Sequence, residues 1–405
     1  MHWWSYYLTP PKARTGSDGL RVGIIGAGIG GMAAAVAMRY AGVQVTVLEA
    51  AEQLGDIGAG IQVTPNVSVL LQTWGVDKVI GDNLVQFEEL NMRRKDGTRW
   101  VVHRAHLHEG LALVAERLGA KVFIDSAVEK SKRGEASGIN SITRKALFPD
   151  VAPEPPTTNC AYRALVPYEQ IRKDPVAKEL IEKLTMEVRM GDNAYIITYP
   201  ISAGKMFNLV LSHHTPEKSR WPLMVTGPLK TWSSPRKNVV LMGDAAHSMV
   251  NHMAQGAATA MEDGAFLAKC LGRVVSGDIR IGEAVTIYER ERLPKAYEKQ
   301  QVSFLNGAIW HLPDGLEQRA RDAAMNPELE GKYYVRSSNL YGDQRTVLDV
   351  YGYDSEKHAE TALAAYLSGG REPFHPETGI TQSQAEKYMS WFAPSSASRP
   401  LASKL

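Results

Sequence analysis

The segment from Leu20 to Glu49 constrains this chain more than any other. Leu20-Arg21-Val22-Gly23-Ile24-Ile25 is a short β-branched apolar run, and Gly26-Ala27-Gly28-Ile29-Gly30-Gly31 follows it. Met32 to Tyr40, rich in Ala and Met, reads as a helix stopped by Gly42. Val43-Gln44-Val45-Thr46-Val47-Leu48 reads as a second strand, closed by Glu49. Strand, tight glycine turn, helix, strand and acid within about 30 residues is the pattern of a dinucleotide-binding βαβ unit. Gly26 permits the turn, Gly28 lets the backbone approach a pyrophosphate, and Gly31 lets helix and strand pack closely. The helix N-terminus offers free N–H groups and a positive dipole end to the phosphates. The Glu49 carboxylate can accept hydrogen bonds from both hydroxyls of an adenosine ribose. A glycine-rich turn of an unrelated α/β fold is the alternative, and the flanking strands and the acid weigh against it. The motif alone does not separate NAD from FAD.

At 405 residues the chain is too long for one ordinary compact unit and points to two or three domains. Apolar residues at 44% and charged residues at 22% exclude wholesale disorder or a fibrous repeat. Lys+Arg 46 against Asp+Glu 44 leaves a net charge of +2, which suggests neither a nucleic-acid binder nor an acidic tail. Two cysteines, Cys160 and Cys270, cannot build a disulfide framework or a multi-cysteine metal site, so a reducing compartment is the expectation. No run approaches ~18 apolar residues, so no membrane span is expected. Met1 to Gly16 lacks the order of a signal peptide and reads as an extension. The chain stops at Ser403-Lys404-Leu405, a tripeptide of the peroxisomal address type. The expected location is therefore peroxisomal, through the import receptor, and otherwise cytoplasmic.

A second motif lies far downstream. Asn238-Val239-Val240-Leu241-Met242 reads as a buried strand, followed by Gly243-Asp244-Ala245-Ala246-His247. Met253-Ala254-Gln255-Gly256-Ala257-Ala258 then opens a helix that runs through Leu271. Asp244, at a strand's end, can accept a ribityl hydroxyl, or it can simply cap a helix. A helix starting near Gly256 would present its N-terminus to the negative edge of a reduced flavin.

Five pieces occur in a fixed order. They are Gly26–Gly31 with Glu49, the run Gly58 to Asn66, Val102-His103-Arg104, Arg144–Pro149 with Tyr162–Pro167, and Gly243–His247 through Glu262-Asp263. Together they resemble the FAD-dependent aromatic hydroxylases, the group A flavoprotein monooxygenases, and most closely the salicylate hydroxylase branch with its fungal relatives. The resemblance covers roughly residues 20 to 370. It implies an α/β fold: a Rossmann-like FAD-binding domain with an inserted β-rich substrate domain and a helical C-terminal part. It also implies a reaction. NADH or NADPH reduces FAD as a transient partner, O2 forms a flavin C4a-hydroperoxide, and one oxygen passes to a phenolic or aromatic-acid substrate.

Residue by residue, the resemblance places Gly26, Gly28, Gly31, Glu49, Gly60, Arg104, Asp244, Gly256 and Ala257 at the cofactor. Glu49 matches the ribose ligand, Arg104 the arginine on the flavin side, Asp244 the ribityl contact, and Gly256 and Ala257 the backbone donors near the flavin pyrimidine. Arg163 matches a position facing the substrate, where a guanidinium can hold a phenolate or carboxylate. Tyr195 and Tyr199 share one face of a period-2 strand, and either can hydrogen-bond the substrate or simply pack. Arg163 and Tyr195 are the candidate catalytic pair. His106, His108 and Glu109 read as a solvated helix face rather than metal ligands.

The expected boundaries are an N-terminal extension (1–19) and the FAD-binding domain in two parts (20–158 and 235–312). The substrate domain spans 159–234, the C-terminal part 313–370 and a mobile tail 371–405. Pro294 is expected to break the helix running from Ile281 to Leu312. The chain departs from the family at two shortenings. Only Glu129–Ser137 separates Val128 from Gly138, where the family has further strands and an Asp that here falls on Ser137. A second shortening lies between His214 and Trp221. Lost strands would bare a sheet edge and apolar surface. A shortened, catalytically impaired flavin-fold relative is therefore the alternative. A monomer or a homodimer fits the sequence equally.

Overall fold

The computed structural model describes residues 19–54, 60–86, 100–128, 138–151, 159–214, 223–226, 229–329 and 340–369. The N-terminal extension, Gly58 and Ala59, Glu129–Ser137, residues 215–222 and the tail with Ser403–Leu405 lie outside the described residues.

Strand β1 (Arg21–Ile25), helix α1 (Ile29–Tyr40) and strand β2 (Gln44–Leu48) form the βαβ unit read from the sequence. β1 and β2 pair in parallel, from Arg21 with Gln44 to Ile25 with Leu48. Gly42 turns the chain after α1 with a φ of +83°, a conformation that favours glycine. The next elements are β3 (Gly60–Val63), α2 (Pro65–Thr73), α3 (Val76–Ile80), β4 (Val85–Gln86), β5 (Trp100–His103), α4 (Arg104–Arg117) and β6 (Lys121–Phe123). β6 joins β2 in parallel and completes a three-stranded sheet of order β1-β2-β6. β3, β5 and β4 make a small antiparallel sheet.

Helix α5 (Ile142–Leu147) precedes the substrate-side sheet. That sheet is built from β7 (Asn159–Pro167), β8 (Glu187–Gly191), β9 (Ala194–Ile201) and β10 (Met206–His214), with the short helix α6 (Tyr168–Ile171) between β7 and β8. It is antiparallel, in the order β7-β10-β9-β8. The chain then returns through α7 (Asp244–His247), α8 (Gly256–Val275) and α9 (Ile281–Trp310). It continues with α10 (Leu316–Leu329), α11 (Gln344–Thr346), a π-helical turn at Val347–Tyr351, and α12 (Ser355–Leu367).

Small residues decide how closely α8 lies on α1. A methyl added at Gly30 would stand 2.9 Å from Ala260 Cβ, and one at Gly264 would stand 2.7 Å from Ala34 Cα. Two near-contacts of backbone hold the helices together, and residues Met32 to Val36 of α1 are wholly buried. A helix covered on all sides needs no polar stripe, which accounts for its Ala-rich run. One apolar core joins this unit to α8, the first half of α9 and α12, through Ile287, Tyr288, Ala359 and Leu363. A second joins β9 and β10 to Val302, Ile309 and Trp310 of α9 and to Tyr341 and Tyr351. α9 thus serves both cores.

Three expectations need correction. Pro294 does not break α9, which runs unbroken for 30 residues with the proline inside. Proline removes one backbone hydrogen bond, and the burial of Arg292, Leu293 and Ala296 around it holds the helix. Asn238–Met242 does not join the parallel sheet. It folds back on Trp232–Ser234 through a single Ser233–Val240 bridge, with Leu241 N donating to Trp232 O at 2.7 Å. The tight turn at Ser234–Lys237, with Lys237 at φ +56°, spends those backbone groups locally. His106 and His108 are half-buried rather than solvated. At the end of β6, Phe123 and Ile124 are 48% and 45% exposed, on the approach to the first shortening. No helix of the described residues is long and apolar enough to cross a membrane.

Candidate active site

The two ends of α1's leading loop use glycine for different reasons. Gly26 takes φ +97° and donates its N–H to Leu48 O at 2.8 Å. A methyl on Gly31 would stand 2.0 Å from Gly26 O, so the fold itself forbids a side chain there. Gly28 has an ordinary φ of −63°, and no protein atom lies within 4 Å of where its Cβ would be. Nothing in the fold requires glycine at Gly28; the open approach to the N-terminus of α1 does. Glu49 lies alongside, its Oε2 accepting from Ala27 N at 2.6 Å and its Oε1 from Ala51 N at 3.0 Å. Each oxygen keeps a further lone pair for a hydroxyl. His108 on α4 reaches the Ala27 carbonyl through Nε2 and ties that helix to the loop. The donors, the open cradle and the acid together fit the adenosine diphosphate half of FAD.

Further donors come from α7 and α8. Asp244 is the first residue of α7 and is exposed; the cap is Gly243 at φ +58°, so Asp244 does not act as a cap. Ala254 takes a left-handed φ of +52° and swings the chain into α8 at Gly256. The first bond closed in α8 runs from Thr259 N to Gln255 O at 2.7 Å. The N–H groups of Gly256, Ala257 and Ala258 precede it and have no acceptor within the helix. Arg104 opens α4, with His103 capping that helix by accepting from Ala105 N at 3.2 Å. The Arg104 side chain is open to solvent yet crowded by protein. That crowding lowers its affinity for a proton, Asp244 opposes the shift and Arg163 adds to it. Asp244 and Arg163, far from Arg104 in sequence, therefore both lie within electrostatic reach of it.

Behind α8 lies a charge network that the sequence reading missed. Glu262, Asp263, Arg292 and Lys299 are all wholly buried. Arg292 donates to Asp263 Oδ1 at 3.0 Å through Nε and to Glu262 Oε2 at 3.0 Å through Nη2. Lys299 donates to Glu262 Oε1 at 2.5 Å, where Asn66 Nδ2 also arrives at 2.6 Å. Asp263 Oδ2 accepts from Gly243 N at 3.0 Å and meets His247 Nε2 at 2.6 Å, which fixes the loop carrying Asp244. Arg292 and Lys299 stand seven residues apart on α9, an interval that puts both on one helix face. That spacing was the available signal.

Burial pushes Lys299 down to about 8, with Glu262 opposing the shift and Arg292 adding to it. Below that pH both folded and unfolded chains hold the proton. Between about 8 and the ordinary lysine value of 10.5 only the unfolded chain does. Stability therefore rises with pH across this window for the wild type and stays flatter for Lys299→Arg, whose cation does not titrate there. Urea unfolding at intervals from pH 7 to 10 measures the difference.

On the substrate side, Tyr195, Ile197 and Tyr199 of β9 all point into the second core. Tyr195 OH donates to Asn251 Oδ1 at 3.5 Å. Its ring packs edge-on to Trp310, His311 and His252. Desolvation pushes the Tyr195 hydroxyl up to about 12, so it remains a neutral donor at ordinary pH, and it raises Tyr199 further still. Arg163, exposed on β7, pulls both tyrosines back toward the phenolate. Arg163 and the two tyrosines thus form one group. Gly60 also answers to a packing requirement of the fold. A methyl there would stand 2.5 Å from Tyr199 Cε2 and 2.9 Å from Ile201 Cγ2, and its N–H donates to Asn208 Oδ1 at 3.0 Å. The joint between β3 and the substrate-side sheet by itself demands glycine there.

Comparison with known proteins agrees with this layout. Residues 24–64 match the NAD(P)-binding Rossmann-like domain, and residues 214–303 match the FAD binding domain. The FAD-dependent monooxygenase OpS4 of Beauveria bassiana is 29% identical, over 85% of this chain and 97% of its own. Salicylate hydroxylase of Pseudomonas putida is 27% identical, over 73% of this chain and 87% of its own. The fold matches the solved structure of CtdE in complex with FAD and substrate at a TM-score of 0.69, with 18% identity, over 86% of this chain and 99% of that one. The chain is similar over most of its length to FAD-dependent aromatic hydroxylases, and its cofactor is FAD. The alignment with the Beauveria enzyme extends over 429 positions, more than the 405 residues present, so that relative holds segments this chain lacks.

Proposed function

We propose that this chain hydroxylates a phenolic or aromatic-acid substrate, using NAD(P)H and O2. The observation that carries the reading is the electrostatic coupling of Arg104 to Asp244 and Arg163, and of Arg163 to Tyr195, whose hydroxyl bonds Asn251 on the segment leading into α8. Gly26, Gly28 and Glu49 would hold the adenosine and pyrophosphate, Arg104 and Asp244 the middle of the cofactor, and Gly256 and Ala257 the flavin ring. Bound FAD supplies a carrier that NAD(P)H reduces and that O2 reoxidises, with one oxygen atom delivered to an activated aromatic carbon and the other released as water. The chain's own residues orient the substrate. Arg163 holds its carboxylate or phenolate, and the neutral Tyr195 hydroxyl, which Asn251 accepts from, fixes the ring's polar edge. Arg163→Met should raise KM for an aromatic acid about 10- to 100-fold, the worth of one charged hydrogen bond, with kcat changed less. Steady-state NAD(P)H oxidation against substrate concentration measures it, and an unchanged KM removes Arg163 from the substrate.

The half-exposed Phe123 and Ile124 and the segments missing relative to the Beauveria enzyme favour a second reading, a shortened and impaired relative. Weak flavin retention and low solubility, both restored by grafting the strands of a longer relative at Glu129–Ser137, would support it. Tight FAD binding and ordinary turnover, roughly 1–10 per second, would remove it.

A further inference from the structure

Lys299 sits on α9 with its side chain wholly inside the protein. Besides Glu262, its ammonium donates to Gln255 Oε1 at 3.0 Å. Gln255 immediately precedes Gly256, the first residue of α8. The same Oε1 accepts from Asn66 Nδ2 at 3.1 Å, and Gln255 Nε2 donates to Thr64 Oγ1 at 3.1 Å. The Gln255 carboxamide is held at both ends, and Lys299 supplies the only charged contact among these bonds. The turn it fixes is the one from which the N–H groups of Gly256 and Ala257 emerge.

We propose that Lys299 is a positioning residue for the flavin: it locks the Gln255 turn, places a buried positive charge behind the N-terminus of α8, and so sets how readily bound FAD accepts electrons. The inference rests on the assignment of that helix end to the flavin ring and gives it an electrostatic control.

The charges around Lys299 are nearly balanced. α8 contributes Glu262 and Asp263, and α9 contributes Arg292 together with Lys295, whose charge Glu298 answers at 2.8 Å. The Tyr353 ring lies 5.0 to 5.3 Å from Arg292, Lys295 and Lys299. His247 faces Asp263. Arg292 bridges both carboxylates, so a protonated Lys299 closes the balance and a neutral one leaves a carboxylate in excess. Reduction transfers a hydride, two electrons and a proton, from NAD(P)H to the ring, releases NAD(P)+ and leaves one negative charge on the ring. Cation and helix N-terminus both stabilise that charge. By linkage, the reduced site holds the Lys299 proton more tightly than the oxidised site does. With Lys299 lowered to about 8, reduction near that pH draws this proton from solvent together with the electrons.

The test is the reduction potential of FAD bound to the full chain, measured from pH 6 to 10 by dye equilibration. The chains compared are wild type, Lys299→Arg and the pair Lys299→Met/Glu262→Gln. Lys299→Met alone would strand a buried carboxylate and could unfold, and the paired change avoids this. In the wild type the potential should fall more steeply with pH on crossing about 8, by one proton for each two-electron reduction. Lys299→Arg should keep the shallow slope up to pH 10, and the paired variant should be shallow throughout. A purely structural role would lower stability or FAD affinity without creating this break. Identical slopes in all three chains overturn the inference and leave the FAD site standing. A wild-type chain that binds no FAD overturns both.

Discussion

Gly28→Val yields a folded protein that no longer holds FAD. The Cβ position is open to 4 Å and φ is −63°, so valine meets neither protein atoms nor a forbidden backbone. It does occupy the approach to the N–H groups of α1, where a pyrophosphate must come within hydrogen-bonding distance. Losing two charged hydrogen bonds of about 1.5–3 kcal/mol each weakens binding at least about a hundredfold. Gly31→Ala is the contrasting case. Its methyl would lie 2.0 Å from Gly26 O, so α1 must lift off β1, and overpacking of this kind costs about 1–3 kcal/mol or more. Circular dichroism with flavin fluorescence separates the outcomes: native spectrum without flavin for Gly28→Val, lowered unfolding midpoint for Gly31→Ala. Full flavin content in Gly28→Val would contradict the assignment of this loop.

The largest stability effect is expected at Arg292. Replacing it with methionine leaves Glu262 and Asp263 buried with only Lys299 and His247 to answer them. Breaking a buried pair by removing one partner costs about 3–5 kcal/mol. The effect should extend to the cofactor, because Asp263 holds Gly243 and His247 on either side of Asp244. Arg189 on β8 provides the control. Its pair with Glu187 is well exposed, so Arg189→Met should cost less than about 1 kcal/mol. Urea unfolding of both variants decides. Equal small losses would show that the buried network carries no more weight than a surface pair.

The parts of the site that were legible in the sequence are the local ones. The Gly26–Gly31 turn, α1 and Glu49 follow each other within a few dozen residues, and each answers to a backbone requirement visible in residue type. The face shared by Tyr195 and Tyr199 follows from strand period alone. The charge network was not legible, because Asn66, Gln255, Glu262 and Lys299 meet only once α2, α8 and α9 are packed. A buried lysine and a solvated one look alike as letters. Gly60 read as a cofactor glycine from its neighbours in sequence, and the packing of Tyr199 and Ile201 against it, which also calls for glycine, was not visible in the letters. Pro294 and Asn238–Met242 were misread for the same reason. Propensity marked a break and a strand, and packing around α9 and a tight turn at Ser234–Lys237 overrode both.

One titration tests the assignment of this site most directly. The purified chain is saturated with FAD, passed through gel filtration, and examined for flavin absorbance, then for NAD(P)H oxidation and O2 uptake with a panel of phenols and aromatic acids. The expected result is one FAD per chain, with NAD(P)H consumption accelerated by at least one aromatic acid and matched by a hydroxylated product. A chain that is folded by circular dichroism yet emerges colourless, or that stays yellow while no aromatic compound alters its NAD(P)H oxidation, would contradict it.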